Sequence, residues 1–424
     1  MFNTPPSTLH IIGAVLFGLA LLHTFSAKYF AFLAQRHPRH AGLYHLLGEV
    51  EVVFGFWAFI LICLMAFIGG TQQAIDYAES RKFTEPLFVF VVMVIAASRP
   101  VLDIVGRSVL LLARILSRIF RIRSNLIQVW LGLGLMPLMG SLITEPAAMT
   151  LAALTLAPLV FRPEVNERLK YGALGVLFVN ISIGGSLTAY AAPPVLMVAH
   201  TWGWDSSYMF FNLGWKAAIA VMINATVISY LLRKHLIMPM PETRPAVPLL
   251  VSGIHLGFLG MMVVLAHHPV LFVGLFLFFL GYTHAYDKHQ SPLILKEGLL
   301  VGFFLAGLVV LGGMQQWWLQ PIISSLKPGA LFLGAAALTA ITDNAALTYL
   351  GSLITGLSEQ AKLMLVAGSL AGGGLTVIAN APNPAGAALL KRGFQDESIG
   401  ALELLMGAAL PTVVASCLLI IDLI

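Results

Sequence analysis

The sequence is poor in charged residues, and this scarcity excludes an ordinary soluble protein. Only 10% of its 424 residues are charged, whereas 58% are hydrophobic. A soluble domain carries roughly a quarter charged residues. Long apolar runs such as 52–68 and 263–280 are suited to cross a bilayer, which requires about 20 mostly apolar residues per helix. We therefore predict an all-α integral membrane protein with about ten spans.

Several chemical features are also missing. There are two cysteines, Cys63 and Cys417, both in apolar runs where we expect buried structural thiols. The sequence has no Walker A motif to bind ATP, no metal-ligand spacing among its histidines and no nucleophile–base pattern. We predict no enzyme and no cofactor, although Na⁺ or Li⁺ is a possible transported ion. The basic residues, with a net charge of +5, lie beside the spans and do not indicate nucleic-acid binding.

Two short stretches resemble each other within hydrophobic sequence, and each contains an acid. Residues 144–150 read Thr-Glu-Pro-Ala-Ala-Met-Thr, and residues 342–348 read Thr-Asp-Asn-Ala-Ala-Leu-Thr. An acid at membrane depth costs about 2.5 kcal/mol or more on insertion scales. The pair therefore predicts a transporter with a site near the bilayer midplane, between two repeats.

A glycine cluster follows each acidic stretch, at 184–188 (Gly-Gly-Ser-Leu-Thr) and at 372–376 (Gly-Gly-Gly-Leu-Thr). Adjacent small residues break a helix and free backbone carbonyls and amides. Together with hydroxyls and a carboxylate, such carbonyls form a hard oxygen site that suits Na⁺. The predicted ion- or substrate-binding residues are Thr144, Glu145, Thr150, Gly184, Gly185, Ser186, Thr188, Thr342, Asp343, Asn344, Thr348, Gly372, Gly373, Gly374, Thr376, Asn380 and Asn383.

The chain divides into two halves of similar organisation. The first half, 1–233, contains a re-entrant hairpin at about 126–161 and a broken helix at about 170–200, and a Pro-rich cytoplasmic linker follows at 234–247. The second half, 248–424, contains a hairpin at about 329–357 and a broken helix at about 361–390. Each half has five predicted spans besides its hairpin. Because an odd number of spans inverts the second half, we predict two inverted-topology repeats.

The basic residues predict the orientation in the membrane. With the linker in the cytoplasm, they concentrate on the cytoplasmic face, as in membrane proteins generally. The exceptions are Arg81, Lys82, Lys327 and Lys362 on the outer face and Lys28 and Lys216 within spans. This distribution predicts a multi-pass protein of the inner (plasma) membrane with both termini outside.

The stretch 99–123 is predicted to be an amphipathic helix. Its charged residues recur at steps of three, four and seven and so share one stripe: Arg99, Asp103, Arg107, Arg114, Arg118 and Arg121. Such a helix is expected to lie in the interface with its arginines toward lipid phosphates. A regulatory or partner-binding role is the alternative.

These segments resemble the ion transporter superfamily, and most closely its Na⁺/H⁺ antiporter family. Residues 340–348 are similar to the Leu-Asp-Asn hairpin of D-type antiporters, and residues 373–383 are similar to their glycine-rich break followed by Asn-Ala-Pro-Asn. The resemblance implies a homodimer of elevator-type protomers, whose hairpins and broken helices move. The dicarboxylate branch carries Ser-Asn-Thr at both tips. The two acids here favour a cation/proton exchanger, because they would repel a dianion.

We therefore predict a secondary active Na⁺/H⁺ antiporter, with the bilayer, small cations and protons as its partners. Asp343 is expected to bind Na⁺ or H⁺ in competition, helped by Thr342, Asn344, Thr348 and the carbonyls of 372–376. Glu145 is expected to be the second proton-coupling carboxylate, and repulsion between the acids would raise one pKa toward the working range. The alternatives are a Na⁺- or H⁺-coupled carrier of organic acids or other anions, and a non-transporting membrane scaffold or membrane enzyme.

Overall fold

The computed structural model describes residues 6–236 and 246–423, and regular secondary structure there is entirely helical. Most of the predicted linker 234–247 lies outside the described residues. The α-helices are α1 (Thr8–Thr24), α2 (Ala27–Arg36), α3 (Ala41–Gly48), α4 (Val50–Gly69), α5 (Thr71–Glu79), α6 (Thr84–Ala96), α7 (Arg99–Phe120), α8 (Ser124–Leu133), α9 (Leu135–Ile143), α10 (Glu145–Leu156), α11 (Glu167–Gly184), α12 (Pro193–Trp202), α13 (Ser206–Met209), α14 (Trp215–Leu232), α15 (Leu249–Val264), α16 (Pro269–Ala285), α17 (Leu295–Gly312), α18 (Gln316–Ser325), α19 (Pro328–Thr339), α20 (Asn344–Ser352), α21 (Glu359–Gly372), α22 (Asn383–Leu390) and α23 (Ala401–Leu419). A π-helical turn spans Phe210–Gly214, and the 3₁₀ turns are Pro38–His40, Gly185–Leu187, Asp287–His289, Val377–Ala379, Lys391–Gly393 and Gln395–Glu397.

Helices long and apolar enough to cross a membrane are present. Judged by length and composition, the described residues contain four: Glu51–Gly69, Ser206–Leu232, Leu295–Gly312 and Ala401–Leu419. Two bent pairs, α6 with α7 (64°) and α8 with α9 (43°), raise the number to six. Four shorter apolar helices are α1, α15, α16 and α19. This is fewer than the predicted spans, because several of those are divided into shorter helices.

The chain forms two compact units, and each combines segments from both sequence halves. Unit 1 comprises Met1–Val91, Leu295–Leu326 and Tyr349–Leu357, and unit 2 comprises Val92–Ile294, Lys327–Thr348 and Ser358–Ile424. Both predicted hairpin tips and both predicted broken helices belong to unit 2. The units group residues by contact, so they do not address whether the halves 1–233 and 248–424 arose by duplication.

Within unit 1, α4 and α17 pack with their backbones in close contact. A Cβ atom at Gly307 would collide with the backbone of Gly55. The hydroxyl of Tyr77 donates to the Val310 carbonyl at 2.5 Å, and that of Tyr349 donates to the Val309 carbonyl at 3.0 Å. Burial raises the pKa of Tyr77 to about 12, so its hydroxyl remains a donor at neutral pH. These bonds fix α5, and Tyr349 at the start of the segment Tyr349–Leu357, against α17.

Within unit 2, glycines allow helices to approach closely around an apolar core. A Cβ atom at Gly175 of α11 would collide with the backbone of α23, and one at Gly368 of α21 would collide with Phe332 of α19. The buried core includes Val179, Val221 and Leu370. Small residues at such contacts let membrane helices pack tightly, which is a main source of their association energy.

The predicted amphipathic stretch is the helix α7. Its inner face buries Val101, Val105, Val109 and Ala113, spaced by four. Arg114 and Arg118 are exposed, whereas Arg107 pairs with Asp103. The helix is therefore amphipathic as expected, and its location at the lipid interface stays a prediction.

The expectation that both cysteines are buried is wrong. Cys417 is exposed, and Cys63 is only partly buried. Cys417 lies on the outward side of α23 with Val413 and Leu410, which are also exposed. In a membrane protein an apolar run can face lipid as well as the core, so apolar neighbours do not predict burial.

Candidate functional site

The first predicted hairpin turns sharply at Thr144. Helix α9 ends at Ile143, and α10 begins at Glu145 with Pro146 in its first turn. Proline fits there because the first amides of a helix have no intrahelical acceptor. Thr144 has φ 76° and ψ 151°, a region populated almost only by glycine. Holding a threonine there costs about 1–3 kcal/mol, so the surrounding structure imposes this turn.

Glu145 is completely buried at this turn, with a relative exposure of 0%. Its Oε2 accepts a hydrogen bond of 2.8 Å from Nδ2 of Asn380. Its Oε1 has no hydrogen-bond partner among the described residues. A Cβ atom on Gly185 would collide with the carboxylate, so only glycine leaves room for it there. The acid of the first tip thus contacts both broken helices, at Gly185 and at Asn380.

The second predicted tip holds its acid differently. Helix α19 ends at Thr339 and α20 begins at Asn344, so Asp343 directly precedes a helix. Its Oδ1 accepts from the amides of Ala345 at 2.8 Å and Ala346 at 3.3 Å. This is the arrangement of a helix N-cap. Asp343 is partly buried and lies within electrostatic range of Glu145.

Asparagine side chains connect the second tip to the broken helices. Nδ2 of the buried Asn344 donates to Oγ of Ser182 at 3.4 Å, and a Cβ atom on Gly373 would collide with both of these side chains. Nδ2 of Asn383 donates to the carbonyls of Gly373 and Thr376, at 2.8 and 2.9 Å. The side-chain amide nitrogens of Asn344 and Asn383 therefore already donate to protein acceptors.

Five buried side-chain oxygens around the tips and breaks have no partner in the described part of the chain: Thr144 Oγ1, Glu145 Oε1, Asn344 Oδ1, Asn380 Oδ1 and Asn383 Oδ1. Leaving a buried polar atom unpaired costs about 1–3 kcal/mol. All five can accept: the three amide oxygens cannot donate, and the carboxylate oxygen of Glu145 donates only when it is protonated. Oxygen acceptors of this kind are the ligands that a hard cation prefers. The described residues bring no three His, Cys, Asp or Glu side chains together, so amides and a hydroxyl dominate the set.

Other predicted site residues form hydrogen bonds to backbone groups near the tips and breaks. Their hydroxyls donate to nearby carbonyls: Thr150 to Pro146 (2.9 Å), Ser186 to Ile183 (2.6 Å), Thr188 to Ser141 (2.7 Å), Thr342 to Leu338 (3.0 Å), Thr348 to Ala345 (3.2 Å) and Thr376 to Ala340 (2.9 Å). Gly184, Gly372 and Gly374 allow close approach, because a Cβ atom at each would collide with a neighbouring backbone. These contacts are local to the tips and breaks, and a part for these residues in ion binding stays a prediction.

Two serines near the site were not predicted. Ser141 Oγ donates to the Gly184 carbonyl at 2.7 Å and accepts from the Leu187 amide at 2.9 Å. Ser182 Oγ donates to the Leu370 carbonyl at 2.7 Å, which ties α11 to α21. Both serines interrupt apolar helical sequence, and this interruption is the feature of the sequence that could have indicated them.

Comparison with known proteins identifies the family. A family model described as "Putative Na+/H+ antiporter" matches residues 8–421. Among solved structures, the YdaH transporter of Alcanivorax borkumensis, whose crystal structure is described as revealing an unusual topology, is 12% identical over 88% of this chain and 96% of its own, with a TM-score of 0.47. No curated protein matches the sequence. Because the family match covers nearly the whole chain, this multi-pass membrane protein belongs to the family described in those words.

Proposed function

We propose that this protein exchanges Na⁺, Li⁺ or another monovalent cation for protons at a site around Glu145. One observation carries the proposal: a fully buried carboxylate has one oxygen bonded to Asn380 and the other without a partner among the described residues. A buried carboxylate must be neutralised, either by binding a proton or by pairing with a cation. A site that alternates between these two states performs antiport when it faces the two sides of the membrane in turn.

The neighbouring oxygens support a cation as the second occupant. The side-chain oxygens of Thr144, Asn380 and Asn383 are buried and, like Oε1 of Glu145, have no partner within 6–236 and 246–423. Hard monovalent cations bind carbonyl, hydroxyl and carboxylate oxygens. An anion would instead require donors, and the amide nitrogens of Asn380 and Asn383 already donate to protein acceptors.

The larger architecture implied by the resemblance belongs to the same proposal. It comprises two inverted repeats, elevator-type movement, a homodimer, and an inner-membrane location with both termini outside. The supporting observation is that both tips and both broken helices belong to one compact unit. Such an arrangement would allow the ion site to move as one body.

The test is antiport in proteoliposomes that contain the purified protein and an internal pH dye. With an imposed pH gradient, external Na⁺ or Li⁺ should drive proton movement in wild type and not in Glu145→Gln. Glu164→Gln is the matched control, because the Glu164 side chain is 71% exposed and forms an ion pair with Arg162 at 3.5 Å. Na⁺-stimulated uptake of a labelled carboxylate without proton movement would favour an anion carrier, and the absence of any transport would favour a scaffold.

A further inference from the structure

We infer that the two acids have different roles: Glu145 binds the exchanged cation and proton, and Asp343 is a positioning residue that caps α20. The inference rests on the proposed function and names the residue that carries it. It reverses the prediction from the sequence, which gave Asp343 the central role.

The surroundings of Asp343 already satisfy a carboxylate. Its Oδ1 accepts from the backbone amides of Ala345 and Ala346. The N-terminus of a helix also carries a partial positive charge that stabilises an acid in this position. The ionised form of Asp343 therefore needs no bound cation.

The surroundings of Glu145 leave a carboxylate incomplete. Glu145 opens α10, and the helix N-terminus offers it a partial positive charge. However, its hydrogen bond comes from the Asn380 amide, and Oε1 accepts none from the described residues. A completely buried ionised group with one hydrogen bond is poorly stabilised unless a proton or a cation joins it. Oε1 is therefore the atom at which proton and cation compete.

Asn380 connects the exchanged ion to the second broken helix. Its Nδ2 donates to Oε2 of Glu145, while its Oδ1 is buried and has no partner in the part of the chain that the structure describes. One residue thus orients the carboxylate and supplies a neutral oxygen beside it. Asp343 acts on the same site through its charge, because it lies within electrostatic range of Glu145.

This assignment also fixes the class of ion. Glu145 is the one carboxylate assigned to contact the ion, because the carboxylate of Asp343 is occupied by the helix amides that it caps. Ca²⁺ sites typically gather about 6–8 oxygens with several carboxylates, and Mg²⁺ keeps several waters. We therefore assign a monovalent cation as the substrate.

The experiment compares Glu145→Gln, Asp343→Asn and Asp343→Ala in the full-length protein, with proteoliposome antiport measured over a range of pH. Asn caps a helix about as well as Asp. Asp343→Asn should therefore retain pH-dependent antiport, with an apparent Na⁺ affinity within about tenfold of wild type. Asp343→Ala should lower the thermal unfolding midpoint, and Asn at this position should restore it. Glu145→Gln should fold and show no antiport at any pH.

Two outcomes would overturn the assignment, and they differ from each other. If Asp343→Asn is inactive while Glu145→Gln still exchanges Na⁺ for protons, the roles of the acids are reversed. If wild type exchanges no monovalent cation for protons, the proposed function itself fails and the assignment falls with it. Competition by Ca²⁺ as strong as that by Li⁺ would contradict the monovalent class.

Discussion

At the scale of single residues, the turn at Thr144 combines backbone strain with an unpaired oxygen. Its φ of 76° belongs to a region that favours glycine, and its Oγ1 is buried without a partner in the described chain. Strained residues that persist are concentrated at functional sites, where the surrounding structure imposes them. The strain at Thr144 therefore fits a turn whose hydroxyl group belongs to the ion site.

We expect Thr144→Gly to stabilise the protein and to weaken ion binding. Glycine removes strain of about 1–3 kcal/mol, and the variant lacks the hydroxyl oxygen. Thermal unfolding in detergent should therefore show a higher midpoint, whereas antiport should need more Na⁺. Thr150→Gly is the control, because a glycine inside α10 should lower the midpoint. A lower midpoint for Thr144→Gly would contradict the account of strain.

We expect Gly185→Ala to abolish antiport. The added methyl group would collide with the carboxylate of Glu145 and displace it from Asn380. The measurement is proteoliposome antiport, accompanied by the thermal midpoint. Gly257→Ala in α15 is the matched control, because a Cβ atom there has no neighbour within 4 Å. Wild-type antiport in Gly185→Ala would show that the carboxylate tolerates displacement.

The residues of the candidate site could be proposed from the sequence, but the contacts that each of them makes could not. The acids and glycine clusters stand out because charge and helix breaks are rare in apolar sequence. Whether an acid caps a helix depends on where that helix begins. Asp343 precedes α20 and caps it, whereas Glu145 is the first residue of α10. Ser182 was missed because a lone serine in a helix has no diagnostic spacing. Its importance comes from a contact with Leu370, which is distant in sequence.

At the scale of elements, a buried asparagine pair explains how interrupted helices are tolerated in unit 2. Asn180 of α11 donates to the Leu133 carbonyl at 2.7 Å, beside the break between α8 and α9, and to the Val221 carbonyl at 3.2 Å. Asn224 donates to Asn180 Oδ1 at 3.0 Å and to the Pro411 carbonyl at 3.3 Å. Backbone groups freed by a break need such partners when water is excluded. Hydrophobic patterning shows where apolar helices lie, but not where a distant side chain permits a break.

We expect Asn180→Ala to destabilise the protein without altering its ion selectivity. The change removes the side-chain donor to the Leu133 carbonyl and one of the two acceptors of the Asn224 amide, at a cost of about 1–3 kcal/mol. The check is the thermal midpoint together with the ratio of Na⁺ to Li⁺ antiport. Asn212→Ala serves as control, because Asn212 is only partly buried and donates to one local carbonyl, that of Tyr208. Equal midpoints for the two variants would refute the role given to Asn180.

At the scale of the whole molecule, the family could be predicted from the sequence and the compact units could not. Composition predicts a membrane protein, and the resemblance of residues 340–348 and 373–383 to antiporter motifs predicts the family, because both are features of local sequence. The units assemble from three segments each, and their boundaries cut through α6 and α20. Such grouping depends on contacts between residues far apart in the chain, which periodicity does not encode.

The most direct test of the central claim is binding of radioactive Na⁺ to the purified, full-length protein over a range of pH. If Na⁺ and a proton compete for Oε1 of Glu145, the apparent affinity for Na⁺ should fall as pH falls, by about tenfold per pH unit once the carboxyl is protonated. Glu145→Gln should bind no Na⁺, while Glu164→Gln should follow wild type. An affinity for Na⁺ that is independent of pH, or that survives in Glu145→Gln, would contradict the account.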